Sequence, residues 1–274
     1  MNDYKTLIEN RIKEFEKNRL WDKDVLDDLP AKPLLPNKID YLNEKLSTKI
    51  KTKFFNWLAF NYYENLIKKG DFVIKDVFGL ENFENINGGC IITCNHFSPL
   101  DNYAVFRSLI KLYGKKWRLY KVIKEGNYTS FKGIFGAFFR HCNTLPLSSN
   151  TQTMKKFVKS TSKLLEKGEK ILIYPEQAMW YNYKKPRPLK DGAYKIAIRN
   201  NVPIVPCFIT MEDTGKIGKD GFNIQKFTIR FFPPLYVDEK LSLTENVNVM
   251  KEKNYSLWKQ AYEEFYEKEL TYEE

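Results

Sequence analysis

Residues 89–101 have the sequence GCIITCNHFSPLD, and this stretch decides how the chain folds. Residues 91–94 are a short apolar run rich in β-branched side chains and preceded by two glycines, which predicts a buried strand. After a turn, Ser98 and Pro99 fit the N-cap and first position of a helix, because the hydroxyl can accept a free N–H and proline has none to lose. His96 is therefore predicted at the carboxyl end of a strand, where ligands bind in α/β sheets.

Asp101 lies five residues beyond His96. A folded turn can bring its carboxylate to one ring nitrogen of His96 and leave the other nitrogen facing a substrate. Such an imidazole can take a proton from an alcohol, while the carboxylate fixes the tautomer. Ser98-x-x-Asp101 also matches the capping pattern in which the acidic side chain returns to the backbone of the cap. Both roles stay open at this point, and they are compatible.

The segment from Asn95 to Asp101 resembles the N-H-x-x-x-x-D motif of glycerolipid acyltransferases, with the 1-acylglycerol-3-phosphate acyltransferase branch as the nearest. Three further blocks occur in the family's order. They are YPE at residues 174–176, similar to F-P-E; PLKDGA at 188–193, which resembles F-K-x-G-A; and VPIVP at 202–206, which matches V-P-I-V-P. The resemblance covers roughly residues 70 to 240.

The resemblance implies transfer of a fatty acyl group from a thioester, acyl-CoA or acyl carrier protein, to a hydroxyl of a lysophospholipid. The expected acceptor is 1-acylglycerol-3-phosphate. His96 is the expected general base and Asp101 the residue that orients it, with backbone N–H groups near the turn facing the oxyanion. We expect no cofactor and no metal. An acyl-enzyme is not required, since no serine or cysteine lies in a recognised nucleophile motif.

The residues expected to contact substrate are Asn95, Arg140, Glu176, Arg187 and Lys190. Glu176 either binds acceptor hydroxyls, as the resemblance implies, or holds its turn by accepting backbone N–H bonds.

The chain departs from the family where the family binds phosphate. The G-T-R that usually follows the glutamate is replaced by QAM at residues 177–179, and residues 144–148 lack the family's arginine. Phosphate binding would then fall to a cationic group that comprises Lys184, Lys185, Arg187 and Lys190. Otherwise that run of charge is a solvated loop.

Composition narrows the class of partner. The 274 residues carry a net charge of +11, which implies an anionic partner. No nucleic-acid-binding motif accompanies this charge, so we expect an anionic membrane surface and acidic substrates, and no nucleic acid. Four cysteines without C-x-x-C spacing indicate buried thiols in a reducing cytoplasm. No long uncharged apolar run and no leader pattern occur, so we expect neither secretion nor a membrane span.

We predict two parts, a helical N-terminal segment over residues 1–70 and an α/β acyltransferase domain over 71–274. An amphipathic helix in residues 1–19 is expected to pack on a second helical region over 39–70, after a proline-containing connector at 29–37. The second region combines many aromatic residues with lysines. This suits a membrane interface, or else the helix covers the domain's own core.

The predicted fold is α/β, a twisted mixed sheet with helices on both faces, preceded by the helical segment. Strands are predicted over residues 72–78, 91–94, 117–123, 144–148, 170–174, 203–210 and 224–231. The resulting hypothesis is a cytoplasmic acyltransferase, peripheral on the inner face of the cell membrane. The alternatives are a thioester or ester hydrolase that uses the same His-Asp dyad, and a non-enzymatic binder of anionic lipid.

Overall fold

A computed structural model describes residues 2–27 and 30–273 of the chain. Met1, Asp28, Leu29 and Glu274 lie outside this description. The first residue of the predicted N-terminal segment, the last residue of the predicted α/β domain and the first residue of the predicted connector at 29–37 are therefore not described. The helices are α1 (Asn2–Lys17), α2 (Leu46–Lys69), α3 (Asp101–Tyr113), α4 (Glu125–Thr129), α5 (Gly133–His141), α6 (Thr151–Glu166), α7 (Gly192–Arg199) and α8 (Leu243–Tyr266). The strands are β1 (Val73–Phe78), β2 (Cys90–Cys94), β3 (Leu119–Ile123), β4 (Thr144–Pro146), β5 (Lys170–Ile173), β6 (Ile204–Ile217) and β7 (Asn223–Phe231).

The seven strands form one mixed sheet in the order β1-β7-β6-β2-β5-β3-β4. Every neighbouring pair is parallel except β6 and β7, which form an antiparallel hairpin. The strand that carries the His96 turn, β2, lies between β6 and β5, with Thr93 opposite Ile173 in the β5 register. The carboxyl ends of β2 and β5 therefore meet at one edge of the sheet.

Side chains along the central strands point alternately to the two faces of the sheet, so the core is divided into two clusters. Ile91 and Ile171 point toward a cluster built with α6, α7 and α8, which includes Trp258. Ile92 and Leu172 point toward the opposite cluster, which α3 and part of α2 cover. Helices thus cover both faces of the sheet, and the predicted fold class is confirmed.

Several helix boundaries differ from the predictions. Helix α3 begins at Asp101, three residues after the predicted cap Ser98. Helix α2 begins at Leu46 instead of residue 39, because a short 3₁₀ turn (Pro36–Lys38) and extended chain precede it, and it ends at Gly70 in a left-handed cap. Residues 125–143 contain two short helices, α4 and α5.

The N-terminal helix packs elsewhere than predicted. Instead of resting on α2, α1 places Ile8 in a cluster with Trp180 and Phe222, across the loop that follows β5. The later part of the N-terminal segment contributes Leu34 and Tyr41 to the same core cluster as the sheet. In the described ranges, no helix is both long enough and apolar enough to cross a bilayer.

Two adjacent glycines before β2 give a test of how the sheet packs. A Cβ on Gly89 would lie 2.4 Å from the carbonyl oxygen of Leu165 at the end of α6, whereas a Cβ on Gly88 meets nothing within 4 Å. We expect Gly89→Ala to lower the free energy of unfolding by about 1–3 kcal/mol through overpacking. Gly88→Ala is the matched control and should change it by less than about 0.5 kcal/mol. Urea denaturation measures both; equal stability of the two variants would contradict the close approach of α6.

Candidate active site

The candidate site is the turn that follows β2. Beyond Cys94 the chain leaves the sheet, and His96 keeps 22% of its side chain exposed while Asp101 is fully buried. The N–H of His96 donates to Oε2 of Glu176 at 3.0 Å, which ties this turn to the turn after β5. Two strands distant in sequence therefore position one histidine.

His96 and Asp101 form the predicted pair. The distance from Nδ1 of His96 to Oδ2 of Asp101 is 2.8 Å. With the carboxylate ionised, Nδ1 carries the proton and Nε2 remains a base. The imidazole also stacks on the ring of Tyr174, with centroids 3.9 Å apart, so both its tautomer and its plane are fixed.

Asp101 also holds the turn, so the two roles left open by the sequence coexist. Its Oδ2 accepts N–H bonds from Phe97 at 3.2 Å and Ser98 at 3.3 Å. Ser98 does not cap α3 as predicted; its hydroxyl accepts the N–H of Leu100 at 3.2 Å within the turn. Backbone N–H groups near the turn were expected to face an oxyanion, but those of Phe97, Ser98 and Leu100 are engaged inside the turn.

Tyr174 supplies a contact that the sequence analysis missed. Its hydroxyl donates to Oδ1 of Asp101 at 2.5 Å. Burial and the neighbouring Asp101 carboxylate raise the pKa of Tyr174 well above its usual value, so it stays a neutral donor. The available signal was the tyrosine at a position where the resembled motif has phenylalanine.

Asn95 was expected to contact substrate, but the structure places it against the neighbouring strand. Its amide donates to the carbonyl of Ile209 at 3.0 Å and accepts the N–H of the same residue at 2.9 Å, and the side chain is 2% exposed. Asn95 therefore ties the start of the turn to β6, in a positioning role.

Glu176 and Arg187 form a buried ion pair beside His96. The distance from Nη2 of Arg187 to Oε2 of Glu176 is 2.8 Å, and Oε1 accepts the N–H of Arg187 at 2.8 Å. Their side chains are 2% and 1% exposed. The sequence left two roles open for Glu176, contact with the acceptor hydroxyls and stabilisation of its turn. The structure shows the second, because the carboxylate accepts backbone N–H bonds from His96 and Arg187.

Arg187 was expected to bind a phosphate, and the structure gives its guanidinium other partners. Nη2 also donates to the carbonyl oxygens of His96, at 3.3 Å, and Ala178, and Nη1 donates to the carbonyl of Trp21 at 3.0 Å. The guanidinium lies over the ring of Trp180, 4.8 Å from its centroid. This buried fork is directed at protein oxygens, so Arg187 fixes the backbone around His96 instead of facing an acceptor.

The other cations expected to bind phosphate or substrate also have partners within the protein. Lys185 pairs with the buried Glu16 at 2.5 Å, and Lys190 pairs with Asp22 at 3.1 Å on the surface. Arg140 donates to the carbonyl of Phe131 at 2.9 Å, on α5. Acidic residues of the N-terminal segment thus neutralise part of the cationic group. Sequence reasoning could not find these pairs because about 170 residues separate their members.

The cysteine nearest the turn gives no support for a thiolate nucleophile. Cys94 is fully buried. Burial is the main cause that raises the pKa of its thiol well above the usual range, and the hydrogen bond with Cys207 raises it further. The chemistry available at this edge is therefore that of a held imidazole base.

Similarity to known proteins covers about half of the chain. Residues 75–210 match the family model described as Acyltransferase. A chloroplastic 1-acyl-sn-glycerol-3-phosphate acyltransferase, BAT2 of Brassica napus, is 29% identical over 147 residues, which is 53% of this chain and only 39% of that protein.

Among solved structures, the 1-acyl-sn-glycerophosphate (LPA) acyltransferase PlsC of Thermotoga maritima is similar with 19% identity and a TM-score of 0.45, over 77% of this chain and 79% of that one. The matched family region contains the His96 turn, Asp101 and Glu176. Over residues 75–210, just under half of its length, this chain therefore matches the acyltransferase family.

Proposed function

We propose that the protein is an O-acyltransferase that moves a fatty acyl group from a thioester, acyl-CoA or acyl carrier protein, to the hydroxyl of a lysophospholipid, with 1-acylglycerol-3-phosphate as the expected acceptor. The observation that carries the proposal is the 2.8 Å bond between His96 and Asp101 at the carboxyl edge of the sheet. The family match and the named activity of the Brassica napus relative support the same chemistry.

In the proposed reaction Nε2 of His96 takes the proton of the acceptor hydroxyl, while the oxygen of that hydroxyl attacks the thioester carbonyl. The tetrahedral intermediate collapses with loss of the thiolate, which receives the proton back from the imidazolium. Asp101 stabilises the imidazolium, and the Tyr174 hydroxyl holds the second carboxylate oxygen in place. No covalent enzyme intermediate is needed.

We further propose that α2 docks on an anionic membrane surface. One side of α2 covers the core through buried Thr52 and Ala59. An apolar stripe on the opposite side faces solvent, comprising Leu46 (73% exposed), Ile50 (61%), Phe54 (52%) and Trp57 (61%). Exposed lysines lie along the same helix, and aromatic rings with flanking ammonium groups suit the headgroup region of an anionic bilayer.

The stripe is extended by α5. Phe131, Ile134 and Phe135 are exposed by 36–46%, and the rings of Tyr62 and Phe135 lie 5.8 Å apart, which joins the two helices in one apolar surface. An exposed apolar surface of this kind favours an interaction over free solvation. A lipid surface would also supply the lysophospholipid and receive the product.

His96→Ala should lower kcat by roughly 10² to 10⁴, because the general base is removed. Asp101→Asn should lower kcat as well, since an amide at this position no longer fixes the Nδ1–H tautomer. It should also reduce stability, because the acceptor of the Phe97 and Ser98 N–H bonds is weakened. Acyl transfer from a radiolabelled thioester and thermal unfolding measure the two effects separately.

Asp191→Asn is a matched control, because Asp191 lies on the surface and pairs with Lys195 and Lys251. It should keep full activity. A folded His96→Ala variant with normal turnover would rule out the dyad, and release of free fatty acid without any acceptor would favour the hydrolase alternative.

Arg187→Lys separates a positioning role from phosphate binding. Lysine keeps the charge but cannot reproduce the fork that reaches Glu176 and the His96 carbonyl. We expect kcat to fall by about 10²-fold through misplacement of the turn, equally for phosphate-bearing and phosphate-free acceptors, with KM unchanged. A KM increase confined to the phosphate-bearing acceptor would contradict this. Lys190→Ala tests the exposed cation in parallel: a selective KM increase there would locate phosphate binding at Lys190.

Phe54→Ala with Trp57→Ala should weaken sedimentation with anionic vesicles by roughly tenfold or more, because two large apolar side chains no longer leave water. Ile217→Ala with Tyr236→Ala is the control, since both residues are comparably exposed but lie outside α2 and α5. Binding of the unaltered protein should fall as salt screens the lysines. Equal loss in both double variants would contradict docking through α2.

A further inference from the structure

A basic cavity lies beside the edge strand β4, and none of its lining residues belongs to the His96 site. Its volume is about 240 Å³, and residues from the connector, the start of α2 and the end of α5 line it. It adjoins Asn143 and Thr144 at the amino end of β4, whereas His96 follows the carboxyl end of β2 in the same parallel part of the sheet. The cavity is therefore separate from the candidate active site.

The charges of this cavity are unbalanced. Its lining includes the cations Lys38, Lys45, Lys51 and Arg140, against the single carboxylate of Asp40. That carboxylate accepts the backbone N–H groups of Glu44, at 3.1 Å, and Lys45, at 2.9 Å, and it also hydrogen-bonds the side chain of Thr48 in the first turn of α2. The excess positive charge favours an anion.

Helix α2 begins at the cavity. Its N-cap residue, Lys45, makes no side-chain capping bond, and Ser47 and Thr48 of the first turn belong to the lining. The first N–H groups of a helix have no acceptor in the helix itself, and the helix dipole adds positive potential there. A phosphate is the group that such a helix start binds most readily.

Two buried polar atoms in the lining point independently to a ligand. Within the described residues, Nδ1 of His141 and Oδ1 of Asn143 have no hydrogen-bond partner, although Asn143 is only 5% exposed. The Asn143 amide is fixed because its Nδ2 donates to Asn56 at 3.3 Å, and the His141 ring is fixed because it stacks on Phe55. Buried polar atoms are normally satisfied, and an oxygen acceptor such as that of Asn143 requires a hydroxyl or other donor.

We propose that this cavity binds the headgroup of an anionic glycerophospholipid, with the phosphate at the α2 N-terminus between Lys45 and Lys51 and a headgroup hydroxyl on Asn143. The neighbouring apolar stripe of α2 makes a membrane lipid the fitting source, because acyl chains can continue along it. The inference rests on the proposed docking of α2 and gives that docking a headgroup-specific site.

The first test is a pair of charge-matched variants. Lys45→Gln with Lys51→Gln removes two cations of the cavity, while Lys68→Gln with Lys69→Gln removes two exposed lysines at the far end of α2. Sedimentation with phosphatidylglycerol vesicles should weaken by roughly tenfold or more for the cavity pair and by no more than about threefold for the control pair. Equal losses would mean general charge attraction and would overturn the proposal.

The second test uses His141 as a reporter, since the chain has only two histidines. Burial lowers the pKa of His141, and Lys51 of α2 and Arg140 of α5 lower it further; Lys38, Lys45 and Asp40 are the other charged groups of the cavity. Short-chain phosphatidylglycerol, kept monomeric, should raise that pKa in an NMR titration, with His141→Gln to assign the resonance.

Short-chain phosphatidylmethanol carries the same net charge without any hydrogen-bond donor in its headgroup and should raise the pKa less. Equal shifts with the two lipids would overturn the headgroup assignment. A shift with glycerol 3-phosphate but with neither lipid would mean that a free phosphate is the ligand and would overturn the lipid source. These measurements need no acyl transfer, so they stand or fall apart from the activity at His96.

Discussion

The carboxylate of Glu176 joins the two strand ends on which the site is built. One oxygen accepts the N–H of His96 and the guanidinium of Arg187, and the other accepts the N–H of Arg187. A buried ion pair loses hydration, and that cost is offset only when nearly all of its hydrogen-bonding capacity is used. Here Nη2 of Arg187 also reaches the carbonyls of His96 and Ala178, and Nη1 reaches the carbonyl of Trp21. Removing either partner would leave a buried charge beside the His96 turn.

This constraint extends to both ends of the chain. The indole of Trp180 donates to the carbonyl of Lys23, and the N–H of Met179 donates to Asp24, so the N-terminal segment covers the loop that carries Arg187. From the other end, Tyr272 donates to the carbonyl of Pro186. The protein's own contacts therefore hold the His96 turn in place, which is what the proposed general base requires.

The sheet and the dyad could be predicted because their signals are local. The run at residues 91–94 and the five-residue spacing from His96 to Asp101 need only strand and turn chemistry, and the structure agrees with both. The role of Arg187 could not be predicted from the sequence. A cation in a charged run gives the same sequence pattern whether it binds the phosphate of a substrate or a backbone carbonyl 166 residues away. The start of α3 was misplaced for a related reason: Asp101 accepts the turn's N–H groups from inside the helix, which a cap pattern at Ser98 does not reveal.

Helix α2 shows why composition alone left its role open. Apolar residues occur on nearly all sides of this helix, so its sequence shows no single apolar face. The sequence is therefore equally compatible with a helix that covers the core and with one that faces lipid. The structure separates the sides, since Ala59 and Tyr63 belong to core clusters while Ile50 and Trp57 face solvent. Tyr63 also stacks on Tyr103 of α3, the helix that begins at Asp101. One rigid helix therefore runs from the basic cavity to the helix that carries the dyad's carboxylate, so a lipid surface held along α2 would lie at a fixed position relative to His96.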